Sequence, residues 1–437
     1  MISSILFIIL LGAGIFFFAS SIKKISRNIR LGRDIDRSDN PALRWQTMTM
    51  VALGQSKMVT RPVAGFFHII IYLGFVIINI EVMEIIIDGI FGTHRIFASA
   101  LGPFYNFLIG SFEILAAGVL IACVVFLARR NILKLKRFIS RDLNGWPRSD
   151  ATIILVTEII LMSLFLSMNA ADAVLQSRGV PHYEVAGSFP VSSIFFPLFD
   201  SWSTATLIVV ERSCWWLHIA GILLFLNYVP FSKHFHILLS FPNVWYSNLE
   251  KKGKFTNLES VTNEVKLMLD PSAVPPPVDP NAAPQRFGAK DVRDLTWKNL
   301  MDSYSCTECG RCTSVCPANI TGKALSPRKI MMDTRDRLEE VGKNIDMHGP
   351  DHDDGKSLLN DYITPEELWA CTTCNACVQA CPVNIDPLSI IVDMRRYLVM
   401  EQSAAPAELN GMFTKIENNG APWQFSPADR MNWVNQD

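Results

Sequence analysis

The chain predicts an all-α fold, a five-helix transmembrane bundle followed by a cytoplasmic α-helical domain organised around cysteines. Three observations predict it. Apolar residues make up 49% of the 437 positions but crowd into the first 240, while the remainder is rich in Asp, Glu, Lys, Arg and Pro. Five of the apolar stretches reach the length of about 20 residues that a bilayer crossing needs. Eight of the ten cysteines fall in two short runs, 306–316 and 371–381. Such bunching points to metal ligation in a reducing compartment rather than to a disulfide framework. The net charge of −1 averages basic membrane loops with a more acidic soluble half, and nothing in it suggests nucleic acid.

The expected spans are residues 2–21, 63–90, 105–128, 151–172 and 204–231. The first has no basic residue ahead of its apolar core, and "SIKKISRNIRLGR" follows it, so it is a retained helix rather than a secretory signal. Loop charge sets the orientation. Residues 22–62 carry nine Lys/Arg and 129–150 carry seven, whereas 91–104 has only Arg95 and 173–203 only Arg178. By the positive-inside rule the N-terminus lies outside and the cysteines lie in the cytoplasm.

Histidine inside a membrane helix is costly unless paired or liganded. His68 opens the second span near its cytoplasmic end, His218 sits mid-span in the fifth, and His236 lies at or just past the end of the fifth. Since the second and fifth helices run in opposite directions, His68 and His236 come to one depth, the axial arrangement of a bis-histidine haem b. The bland alternative is a set of interfacial histidines, with His234 beside His236 as one of them, and a His218 hydrogen-bonded to a polar neighbour or a quinone. Glu81, Glu84 and Asp88 either exchange protons or, more simply, solvate the outer end of their helix.

"FHIIIYLGF" and "LHIAGILLFLNYVPFSKHFHI" resemble the cytochrome b subunit of respiratory nitrate reductase and its relatives in heterodisulfide reductase-type complexes. That family has two histidine ligands eighteen residues apart on its last helix, and His218 and His236 have this spacing, with Pro230 to Ser232 also matched. The resemblance implies haem b. In two-haem members another histidine follows ten residues after the first on the second helix, where this chain has Ile78. One haem on His68 and His236 is therefore expected. A second haem on His218 stays open and would need His94 or His182, in outward loops, to fold back to it.

After the last span, "DPSAVPPPVDPNAAPQRF" reads as an extended, semi-rigid linker. Beyond it "CTECGRCTSVCPANI" and "CTTCNACVQACPVNI" align without a gap at a constant offset of 65. Each is followed by a helix, and Thr364, Pro365 and Glu367 form a helix start before the second. Both fit C-x2-C-x2-C-x3-C-P, the ferredoxin run for [4Fe-4S] clusters, in which the fourth cysteine ligates the other cluster. The expected ligand sets are Cys306, Cys309, Cys312 and Cys381 for one cluster, and Cys371, Cys374, Cys377 and Cys316 for the other. A structural zinc site shares the C-x2-C pairs but has no use for the x2, x2, x3 run followed by proline, twice over.

This half resembles the α-helical ferredoxin of succinate dehydrogenase iron-sulfur subunits and of the two-cluster subunit of heterodisulfide reductase, with "CPxNI" at both clusters and Arg335 and Arg395 in the trailing helices. The expected organisation is a cytochrome b-like membrane domain at 1–240, a surface segment and linker at 241–290, a two-cluster ferredoxin domain at 291–400, and a partner-binding tail at 401–437. The tail resembles the joint that leads, in fused oxidoreductases of this superfamily, into a domain with CCG motifs. With no CCG motif here, the partner is expected to be a separate CCG-type iron-sulfur subunit, an electron-transfer flavoprotein or another soluble redox protein. The resemblance implies a bacterial or archaeal inner-membrane subunit of a quinone-dependent oxidoreductase, similar to electron-transfer-flavoprotein:menaquinone oxidoreductases. It would carry electrons between that partner and the quinone pool of a respiratory chain, with quinone as substrate and no catalytic side chain identified. The competing reading is a membrane-anchored electron relay or redox sensor without a quinone site.

Overall fold

The computed structural model describes residues 2–272, 274 and 286–435. The proline-rich linker lies mostly outside them. Five helices are long and apolar enough to cross a membrane: α1 (Ile2–Ile29), α2 (Pro62–Phe91), α3 (Pro103–Asn131), α4 (Trp146–Ser177) and α5 (Thr204–Tyr228). Proline at the first turn starts α2, α3 and α4, where its missing N–H has no intrahelical partner to lose. Gly92, at φ 72°, ends α2 in the left-handed conformation that glycine takes freely. Each helix packs against its sequence neighbours, and α1 closes the ring by packing between α5 and α2.

Helix α1 runs eight residues beyond its expected span. The extension is polar, and the cysteine-rich half supplies its partners. Arg27 donates to the Gly342 carbonyl at 2.9 Å and pairs with Asp346, while Asn28 donates to Tyr304 Oη at 3.1 Å. The fifth span ends where expected, at Phe231. After Tyr228 the chain makes two short 3-10 turns, and His236 begins a separate helix, α6 (His236–Trp245).

The cysteine-rich half contains α7 (Trp297–Ser305), α8 (Pro327–His348) and α9 (Pro387–Met400). Side chains cap them: Thr296 accepts from Asn299 N, Ser326 from Lys329 N and Asp386 from Ser389 N, with proline at the first turn of α8 and α9. One apolar core joins α7, α8 and α9 to Ile25 of α1 and to Val229 and Phe235 of the turns after α5. The two halves therefore share a core at the end of the bundle. Among the described residues there is no strand, only the single bridges Arg33–Thr296 and Leu359–Ile363.

Candidate functional site

The repeat in sequence is a repeat in backbone. In the first run Glu308 and Gly310 have φ of 53° and 71°, and in the second Thr373 and Asn375 have 54° and 62°. These left-handed positions stand at the same offset of 65 as the cysteines. They turn the loop back on itself before the short helices Arg311–Val315 and Ala376–Ala380, which carry Cys312 and Cys377. Asparagine tolerates the left-handed conformation better than most residues, so Asn375 can stand where the first run has glycine.

The fourth cysteine of each run faces the other run. Burial first, then the neighbouring Cys306, Cys309 and Cys381, push the Cys312 thiol well above its ordinary pKa. Burial pushes Cys377 up to about 12, with Asp386, Cys371 and Cys316 adding to it. Backbone N–H groups donate to sulfur at two places, Thr373 to Cys371 at 3.4 Å and Ile385 to Cys381 at 3.3 Å. Among the described residues no three His, Cys, Asp or Glu side chains converge on a single point. Thiols arranged around a cavity, with amides aimed at sulfur, suit a cluster better than a lone ion.

Next to these loops a cavity of about 520 Å³ enters the bundle. Cys309, Glu308 and Val383 line its mouth, His68 and His236 its upper part, and His218 its depth. The His68 and His236 rings are 6.5 Å apart between centroids and tilted by 42°. Two imidazoles on one metal, each at about 2.0 Å from nitrogen to metal, have centroids roughly 6 Å apart. The pair therefore fits an iron between them. His236 Nδ1 lies 3.0 Å from the Lys233 carbonyl, which fixes that nitrogen as the donor and leaves Nε2 for a ligand role. Burial lowers the His236 pKa, favouring the neutral imidazole that binds metal.

His218 is arranged differently. Its Nδ1 meets the Leu161 carbonyl at 3.0 Å, and the ring beside it is Phe165, at 5.9 Å, rather than a second imidazole. His94 and His182 pair with each other, centroids 5.6 Å apart, in a separate pocket at the far end of the bundle. The loop that would bring either to His218 does not fold back to it. Glu81 and Glu84 also depart from the simpler expectation: both are buried rather than solvating the helix end, while Asp88 caps the turn that follows by accepting from the Arg95 amide at 2.8 Å.

Several residues with structural weight had no signal in the pattern. Glu308, within the first cysteine run, bridges Lys233 after α5 and Arg335 of α8. Arg311 donates to the Lys57 carbonyl at 2.6 Å, and Lys57 Nζ donates to the Cys381 carbonyl at 3.2 Å. Arg328 is fully buried and grips Asp142, with Nη2 2.7 Å from Oδ1 and Nε 3.0 Å from Oδ2. A carboxylate or cation inside a cysteine run can be noticed in sequence, but Glu308 finds Lys233 and Arg311 finds Lys57, each more than seventy residues away.

Residues 305–385 match the 4Fe-4S dicluster domain family. The chain is 29% identical to the probable iron-sulfur-binding oxidoreductase FadF of Bacillus subtilis, over 99% of this chain and 60% of that protein. It is 28% identical to the EtfAB:quinone oxidoreductase of Syntrophomonas wolfei, over 98% of this chain and 59% of that one. A probable membrane-anchored ferredoxin of Chromohalobacter salexigens is 34% identical over 36% of this chain and 25% of its own length. Two heterodisulfide reductase subunits of Methanosarcina acetivorans match over shorter stretches. The chain spans about three fifths of the length of its two full-length matches. No solved structure matches it. Five membrane-length helices thus carry a 4Fe-4S dicluster ferredoxin domain, in a chain whose relatives are iron-sulfur oxidoreductases and heterodisulfide reductase subunits.

Proposed function

We propose that the chain passes electrons between a soluble redox partner and a lipid quinone, through two [4Fe-4S] clusters and one haem b. The observation that carries this reading is the juxtaposition of Cys309 and the His68–His236 pair on one cavity. Cys306, Cys309, Cys312 and Cys381 would hold the cluster nearer the bundle, and Cys371, Cys374, Cys377 and Cys316 the other. His68 and His236 would hold the haem. When bound, these groups supply one-electron carriers at graded positions between the ferredoxin domain and the bundle.

The chain's own residues place and insulate those positions. Lys57 and Arg311 tie both cysteine loops to the segment just before α2. Arg129, Arg130, Arg137 and Arg311 surround the cavity near its mouth, where they can balance anionic groups. Below them the walls turn apolar and exclude water. Cys374 is the most exposed of the eight cluster cysteines, so its loop is the natural docking point for a soluble partner such as a CCG-type iron-sulfur protein or an electron-transfer flavoprotein. The basic loops orient this face toward the cytoplasm of a bacterium or archaeon.

The test is a pyridine haemochrome assay, with iron and acid-labile sulfide, on the detergent-purified protein and on His68→Ala and His236→Ala. Haem b in the wild type, lost in both variants while about eight cluster irons persist, is the expected result. Clusters without haem in the wild type would overturn the histidine assignment and leave a membrane-anchored relay.

A further inference from the structure

A second pocket, of about 260 Å³, lies at the end of the bundle away from the ferredoxin domain. It is built from charged groups withdrawn from water. Arg95 donates to Asp172 at 2.7 Å, to Asn169 at 3.0 Å and to Tyr105 at 3.2 Å, and Tyr105 donates to Glu84 at 2.7 Å. Burial works against the Arg95 charge, but Asp172, Tyr105 and Glu81 together outweigh it, and its pKa stays well above the ordinary value. Tyr183 donates to Glu211 at 2.9 Å, and Glu211 also pairs with Arg212. With Asp172 and Glu211 each matched to a guanidinium, Glu81 is left over. Its nearest cation is Arg95, at 4.0 Å.

Two atoms in this network have no partner. Glu81 Oε2 and His94 Nδ1 are buried without a hydrogen bond, and both residues line the pocket and are more than nine-tenths buried. His94 is held from its other side, where Nε2 meets Asp172 Oδ1 at 3.2 Å. Buried polar atoms are normally satisfied, and exceptions call for a ligand or a chemical role. A small molecule with two oxygens that can both accept and donate would satisfy both atoms. It would also have to tolerate the flat walls given by Trp215 and the His94–His182 pair.

We propose that this pocket binds the headgroup of a quinone, with His94 Nδ1 and Glu81 as its two proton-exchanging contacts. The inference rests on the electron-transfer reading above and adds the place where the quinone reacts. The pocket is within reach of the electron path, since Trp215 precedes His218, which lines the haem cavity, by three residues on α5. In reduction, the two carbonyl oxygens take two electrons from the haem and cluster carriers, which a soluble reductant refills. They also take two protons, one from His94 Nδ1–H and one from the Glu81 carboxyl. The product hydroquinone leaves, and water at that end returns both protons. Oxidation of hydroquinone runs the same contacts backward.

The experiment is stopped-flow reoxidation of the dithionite-reduced, detergent-purified full chain by menadione, comparing wild type with His94→Asn and Glu81→Gln. Haem optical and cluster paramagnetic spectra are recorded alongside. The expected result is reoxidation slowed about 100-fold in each variant, as for loss of a positioned acid or base, with spectra unchanged. Variants that reoxidise at the wild-type rate would overturn the pocket while leaving electron transfer to quinone intact. A wild-type haem that menadione cannot reoxidise would overturn the functional reading itself. If either variant loses haem, photolabelling of the wild type with an azidonaphthoquinone decides. Label on peptides containing 81–95, 168–183 or 211–215 supports the pocket, and label confined to the walls of the His68–His218 cavity rejects it.

Discussion

Gly310 and Asn375 occupy equivalent places in the two cysteine loops, yet they answer to different constraints. At Gly310 an added Cβ would sit 2.7 Å from Arg328 Nη1 and 3.3 Å from the Arg137 carbonyl, at a φ of 71°. Gly310→Ala should therefore cost about 1–2 kcal/mol from the backbone alone, with displacement of the Arg328 contact on top. Asn375→Gly should be close to neutral, because glycine takes the same conformation freely. Thermal unfolding followed by loss of cluster absorbance checks both, and equal effects would contradict this account. At this scale the doubled cysteine run and the closeness of His68 to His236 were legible, because spacing and helix depth are properties of the sequence itself. Burial of Glu81 and Glu84 was not. It depends on Arg95 and on Phe97, whose amide Glu84 accepts at 2.9 Å, and both lie in a connection that folds over the helix end.

Between elements, buried charge holds the ferredoxin domain to the bundle. Glu308 lies between Lys233 and Arg335, and Arg328 of α8 closes on Asp142 in the connection between α3 and α4. Removing one member of such a pair leaves the other charge buried, at a cost of about 3–5 kcal/mol. Asp142→Ala should accordingly undock this connection, seen as faster proteolysis around residues 136–143, whereas an exposed pair such as Lys254–Glu250 should be dispensable. Acid gives a second check. Burial raises the Glu308 pKa, but Arg335 and Lys233 outweigh it and hold the value below the ordinary one. A depressed carboxylate pKa stabilises the fold above the unfolded value of about 4.3, and that stability is lost as pH falls through the lower folded value. Cluster release should thus steepen below about pH 4 in the wild type, and Glu308→Gln should flatten that limb. The helices of this layer were legible from apolar length and from caps such as Thr364, whose capping box with Glu367 is formed. The overrun of α1 was not, because it is settled by contacts with the other half of the chain.

For the whole molecule, the proposed order of carriers follows from which loops touch the bundle. Cys309 lines the His68–His236 cavity and the Cys381 carbonyl is gripped by Lys57, whereas Cys374 faces outward. If the proposed haem is present, Cys309→Ser should slow its reduction by the ferredoxin domain, and a lesion at Cys374 should slow reduction of the domain by the proposed soluble donor, each measured by rapid mixing with the other step as control. The ring of five helices and the doubled cysteine run could be read from composition and repeats. The way one sits on the other could not, since it is written in pairs separated by up to 360 positions. The proposed exchange of fourth cysteines between the runs also bears on how the protein is made. Residue 381 leaves the ribosome 65 positions after residue 316, so during synthesis the first loop waits with three thiols and no fourth. On the proposed ligand sets, nascent chains halted between Cys377 and Cys381 should keep the cluster of Cys371, Cys374, Cys377 and Cys316 but not the one begun by Cys306, Cys309 and Cys312.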